Sequence, residues 1–157
     1  MRTLTEDILA WSKDFIDKAL KILEVHDHTR LIDSIVAGMK FIQEPKTDIV
    51  IVACDDIEIT VEELNAIIHA YNIAFVPHDI YLMASHPFDE EEDEPVEFLD
   101  TENWEPDNEF LMVLIQNYDK LERASDMMRK KGYYDKWPQD YYDGTVNKRK
   151  YYRRYRL

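Results

Sequence analysis

Six residues, Ile49-Val50-Ile51-Val52-Ala53-Cys54, constrain the fold more than any other stretch of the chain. Four successive β-branched side chains suit a pleated backbone, and the lack of polar alternation predicts a strand buried on both faces. The run ends on Asp55-Asp56. Thr60-Val61-Glu62-Glu63 then has capping-box spacing and opens a helical stretch to about Tyr71, with Val61, Leu64, Ile67, Ile68 and Tyr71 on one face. Adjacent carboxylates at the end of a buried strand are where many α/β-type proteins carry metal or phosphate chemistry, and they are also an ordinary polar turn.

Before this strand, Thr3-Leu4-Thr5-Glu6 is another capping box. Ile8, Trp11, Phe15, Ala19 and Ile22 follow at helical spacing and predict a helix of about 19 residues. His26-Asp27-His28-Thr29 interrupts it. Leu31, Ile32, Ile35, Val36, Met39 and Ile42 predict a second helix ending before Pro45, so that the two helices form an antiparallel hairpin. After the strand, Ile57-Glu58-Ile59 alternates as a short partner strand would. Pro77 breaks the chain, and Ile80 to Ala84 reads as a further strand ended by Pro87. From about Asp107 the pattern is helical, with Leu111, Leu114, Ile115, Tyr118, Leu121 and Met128 on one face. Lys130 and Lys131 suit the negative end of that helix, and Gly132 suits its C-terminal cap.

Charge divides the chain. The formal net charge is −14, yet residues 144–157 hold six basic residues and no acid. Residues 1–143 therefore carry 13 basic against 33 acidic residues, a body near −20. Residues 89–109 alone contain twelve acids and no basic residue, with Pro95 and Pro106 among them. They read as a long solvated loop touching the body through Phe98, Leu99 and Trp104. The last 25 residues hold seven of the ten tyrosines. Three glycines exclude the Gly-rich phosphate loops, and the single Cys54 excludes an internal disulfide or a thiolate zinc site. Cys54 reads as a buried structural thiol. The amino terminus does not resemble a signal peptide and no apolar run reaches the ~20 residues of a bilayer span, so a cytoplasmic, reducing setting is expected.

Three constellations carry chemistry. Lys148, Arg149, Lys150, Tyr151, Tyr152, Arg153, Arg154, Tyr155 and Arg156 combine cations with stacking rings, suited to an acidic protein surface or to nucleic acid. A body of this charge repels phosphate at long range, which restricts any nucleic-acid contact to the tail or to a metal. Asp55 and Asp56, with Asp48 and Glu58 near, offer oxygen ligands for Mg²⁺ or Mn²⁺, although strand alternation would put the pair on opposite faces. His26 and His28 form an H-x-H pair whose plainer role is a polar helix–helix turn. His26-Asp27 and His78-Asp79, with Asp119, resemble part of the metal-binding pattern of the HD-type phosphohydrolases. That family's His-Asp lies within a helix, whereas Pro77 makes 78–79 extended, so the family is not assigned.

The chain is thus expected to be α+β and mostly helical, about four helices packed on a small two- or three-stranded sheet. Residues 1–132 would form one globular domain with the acidic loop 89–109, and residues 133–157 a Tyr-rich basic tail. The expected function is non-enzymatic: an acidic interaction or assembly protein, of a kind suited to a virus or mobile element, docking on a protein partner or on itself through residues 148–156. This reading involves no metal, no cofactor and no membrane. Truncation at Gly144 would then abolish association and leave the fold intact. The alternatives are a metal-dependent phosphodiesterase or nuclease using Asp55 and Asp56 with a nearby histidine, and an acidic nucleic-acid mimic acting through residues 89–109.

Overall fold

The computed structural model describes residues 3–12, 19–89 and 109–156. In chain order the elements are α1 (Leu4–Ser12), β1 (Leu20–Val25), α2 (Leu31–Phe41), β2 (Ile49–Cys54), α3 (Val61–Phe75), β3 (Ile80–Ser85), β4 (Leu111–Asn117), α4 (Tyr118–Lys130) and the short α5 (Gln139–Tyr142) and α6 (Lys148–Tyr152). The fold is α+β, and its mixed sheet has four strands in the order β1-β2-β4-β3. β1 runs parallel to β2, while β4 lies antiparallel between β2 and β3. All six side chains of β2 are buried, as its apolar run requires.

Alternation along β2 divides the core. Val50, Val52 and Cys54 face α2 and α3, where Leu31, Ile35, Met39, Leu64 and Ile68 cover them. Ile49, Ile51 and Ala53 face α1, through Leu4 and Ile8. α2 sits close to the sheet because Gly38 lacks a side chain: a Cβ there would lie 2.6 Å from Ile115 Cδ1. Both capping threonines work as spaced. Glu6 N donates to Thr3 Oγ1 while Thr3 N donates to Glu6 Oε2, and Glu63 N donates to Thr60 Oγ1. β3 is an edge strand, and Asn72 of α3 blunts it. Its amide donates to the Leu82 carbonyl (3.0 Å) and accepts from Leu82 N (2.8 Å).

Three sequence expectations are corrected. The helix of about 19 residues is instead the nine-residue α1 followed later by β1, so no helical hairpin forms. Leu20-Lys21-Ile22-Leu23-Glu24-Val25 fits either period, and pairing with β2 decides it. Leu111 to Asn117 is likewise a strand, inserted between β2 and β3, and the helix starts only at Tyr118. A short run apolar throughout does not distinguish a doubly covered strand from a helix. Ile57–Ile59 forms no strand, so the sheet of two or three strands becomes one of four built from distant segments. Four helices have nine or more residues among those described. Phe15 and residues 90–108, including Phe98, Leu99 and Trp104, lie outside the described residues. No helix among the described residues is long and apolar enough to cross a membrane.

The segment after Gly132 (φ +80°) turns back onto the body. Tyr152 is buried against Tyr81, beside Tyr118 and Val76. Register places Tyr81 and Met83 on the face of the sheet that Leu114 shares, so α6 covers part of the layer that α1 begins.

Candidate functional site

The parallel strands β1 and β2 end side by side, with Val25 opposite Cys54, and each leads into a polar segment. His26-Asp27-His28 leaves β1 and Asp55-Asp56 leaves β2. The two aspartates diverge, as strand alternation suggests, and each meets a different histidine. His26 Nδ1 lies 2.8 Å from Asp55 Oδ2, and His28 Nδ1 lies 2.7 Å from Asp56 Oδ2. An ionised carboxylate only accepts, so the proton in each pair sits on Nδ1 and leaves Nε2 as the other functional atom of the ring. Glu24 Oε1 is 3.8 Å from His26 Nε2, and Glu58 Oε2 is 3.8 Å from His28 Nδ1.

Asp27, His28 and Asp56 each offer a ligand atom, all within 4.8 Å of one another. The hydrogen bonds that hold them also set their charge. Asp56 accepts from His28 N at 2.8 Å as well as from the ring, and these bonds hold its carboxyl below the usual range. Asp27 is lowered by the Thr29 hydroxyl and backbone N–H, with a smaller contribution from Arg30. The hydrogen bond to Asp56 raises His28. Asp27 thereby also caps the helical turn His28–Arg30 that runs into α2, so two of the three candidate ligands serve the fold too.

An open groove adjoins the cluster between β1 and α2, lined by Glu24, Val25, His26, Asp27, Arg30 and Ser34 and about 360 Å³ in volume. It continues along β1 past Ile22, Leu23, Asp33 and Ala37. Arg30 is exposed and makes no side-chain hydrogen bond or ion pair among the described residues. Sequence reasoning singled out Asp55, Asp56, the H-x-H pair and the His26-Asp27 dipeptide separately and missed Arg30 and Glu24. The missed signal was the likeness of residues 20–28 to 49–56: six residues able to form a strand, followed at once by His or Asp.

The basic tail lies elsewhere. Arg149 is buried, pairs with Glu122 Oε1 (3.0 Å) and bonds Ser125 Oγ, while Tyr118 Oη donates to its carbonyl. Arg153 takes the other Glu122 oxygen at 3.0 Å, and Arg156 pairs with Asp119. Arg154 stacks on Tyr151, whose hydroxyl meets that of Tyr155. Tyr152 is buried with its hydroxyl 2.7 Å from His69 Nδ1. Lys148 is exposed and Lys150 half-buried. Asp48, counted near the aspartates in the sequence, accepts from Ala19 N at the opposite end of β2. Cys54 is buried, its thiol donates to the Asp56 carbonyl, and burial raises its pKa. Comparison with known protein families, curated proteins and solved structures returns no match.

Proposed function

We propose that the chain is a divalent-metal-dependent phosphoester hydrolase whose ion is held by Asp27, His28 and Asp56. The observation that carries the reading is the convergence of those three ligand atoms within 4.8 Å at the carboxyl ends of two adjacent parallel strands, beside a groove. Two carboxylates and an imidazole suit Mn²⁺ or Zn²⁺. Three protein ligands leave coordination positions for water and a substrate oxygen. Asp55 fixes the His26 ring at the groove wall, which suits it to proton transfer. In hydrolysis the water oxygen bonds to phosphorus as the ester P–O bond breaks. The departing alkoxide oxygen gains a proton and the attacking water loses one, with His26 as the ring placed to relay it.

The tail-docking reading has less support, because Arg149, Arg153 and Arg156 already pair with Glu122 and Asp119 of the same chain. The acidic-mimic reading concerns residues outside those described.

The test is Mn²⁺ titration by calorimetry, with hydrolysis of p-nitrophenyl phosphate, on wild type, Asp56→Asn and His28→Ala. Saturable Mn²⁺ binding is expected, weakened at least about tenfold in each variant, with activity falling in step. Circular dichroism confirms that each variant is folded. A folded wild type that does not bind Mn²⁺ or Zn²⁺ refutes the reading.

A further inference from the structure

The groove along β1 is chemically uneven, and that unevenness selects a substrate. Glu24, Arg30 and Ser34 line both parts; His26 and Asp27 join them at the cluster end, and Leu23, Ala37 and Asp33 farther along β1. Among the described residues, Arg30 is the only lysine or arginine lining either part. Its side chain makes no hydrogen bond or ion pair among the described residues, and it lines the cluster end together with Asp27. An exposed arginine with no partner among the described residues, next to candidate metal ligands, presents a planar fork of donors to a bound oxyanion.

Resting on the hydrolase reading above, we propose that the substrate is a phosphomonoester of an uncharged, partly apolar alcohol, with its phosphate clamped by Arg30 and its alcohol group lying over Leu23 and Ala37. Charge decides against the alternatives. Glu24, Asp27 and Asp33 line the groove against one arginine, so a single phosphate is accommodated only where the metal and Arg30 stand together. A second phosphate farther along β1 would face Glu24 and Asp33 with only the same Arg30 to offset them. A polynucleotide would in addition meet a body near −20. Phosphate binding is therefore coupled to metal binding, and neither diesters nor nucleic acid are good substrates.

Three measurements on the full chain test this: Mn²⁺ affinity by calorimetry, inorganic phosphate affinity with and without Mn²⁺, and steady-state kinetics on p-nitrophenyl phosphate, bis(p-nitrophenyl) phosphate and a single-stranded oligonucleotide. Phosphate should bind measurably only with Mn²⁺ present. Arg30→Ala should raise KM and weaken phosphate binding by at least about tenfold while leaving Mn²⁺ affinity within about twofold. Ala37→Phe, which narrows the apolar end, should raise KM for the aryl ester and leave inorganic phosphate binding unchanged. If Mn²⁺ binds but Arg30→Ala changes neither KM nor phosphate affinity, or if the diester or oligonucleotide is the better substrate, this inference falls alone. If no divalent metal binds, it falls together with the hydrolase reading.

Discussion

Replacing Tyr152 by alanine tests whether the C-terminal segment is part of the core. Its side chain is 2% exposed, and its ring lies 5.9 Å from that of Tyr81. Removing a large aromatic from such a site costs about 3–5 kcal/mol, through lost burial and the cavity left behind. Tyr152→Phe keeps the packing and loses the hydroxyl contacts to His69 and Asn72, about 1–2 kcal/mol. Tyr151→Ala, at a residue 40% exposed, should cost under about 1 kcal/mol. For a chain of this length each kcal/mol moves Tm by about 2–4 °C, so Tyr152→Ala should lower it by roughly 6–20 °C and the two controls by less. Differential scanning calorimetry reads all three, with urea titration to check that the m-value is unchanged. Truncation at Gly144 removes Tyr152, Val146 and Arg149 together, and its cost approaches the about 5–15 kcal/mol total stability of a typical domain, so the truncated chain should be largely unfolded. A Tm for Tyr152→Ala within about 2 °C of wild type would refute the packing of this segment.

Two further outcomes follow from buried or charged contacts. Asn72→Leu keeps the volume and leaves the Leu82 N–H and carbonyl without partners, so it should destabilise by about 2–4 kcal/mol in urea titration and promote association through the uncovered β3 edge, read by light scattering. Arg156 holds the Asp119 carboxyl below its ordinary value near 3.8, so their contribution is present above that pH and disappears as pH falls through the lower folded value. The stability difference between wild type and Arg156→Gln, within about 1 kcal/mol at this partly exposed pair, should be constant at neutral pH and shrink as pH falls below 3.8; an offset that persists undiminished in strong acid would count against the pairing.

Local chemistry was legible in the sequence wherever one segment determines its own state. Thr3 and Thr60 cap the helices their spacing announces, and Ile49–Cys54 is buried on both faces because no other environment suits six such residues. Legibility failed where a partner decides. Leu20–Val25 becomes a strand only because β2 lies beside it, and Leu111–Asn117 only because β2 and β3 leave a place between them. The site shared that weakness. Asp56 and His28 are 28 residues apart and are joined by a parallel pairing, and that pairing could not be inferred while β1 read as helix. The tail's contacts were hidden for a different reason. Its cations stand out in composition, yet Arg149 is matched by Glu122, an acid lost among the many of the body.

The two ends of the sheet carry different tasks, and topology assigns them. Val25, Cys54, Ser85 and Leu111 mark one end, where parallel β1 and β2 release His26–His28 and Asp55–Asp56 into solvent-facing segments. Leu20, Ile49, Ile80 and Asn117 mark the other, where Asp79 accepts from Asp119 N and α4 and α6 bury Tyr118, Tyr152 and Arg149. A side chain at the first end is held by one or two polar contacts, so it can change partners at low cost; at the second it is held by packing as well as charge. Groups that must exchange water for a ligand belong where the backbone is fixed and the side chains are not. That asymmetry favours the His–Asp cluster over the basic tail as the place where this chain meets another molecule.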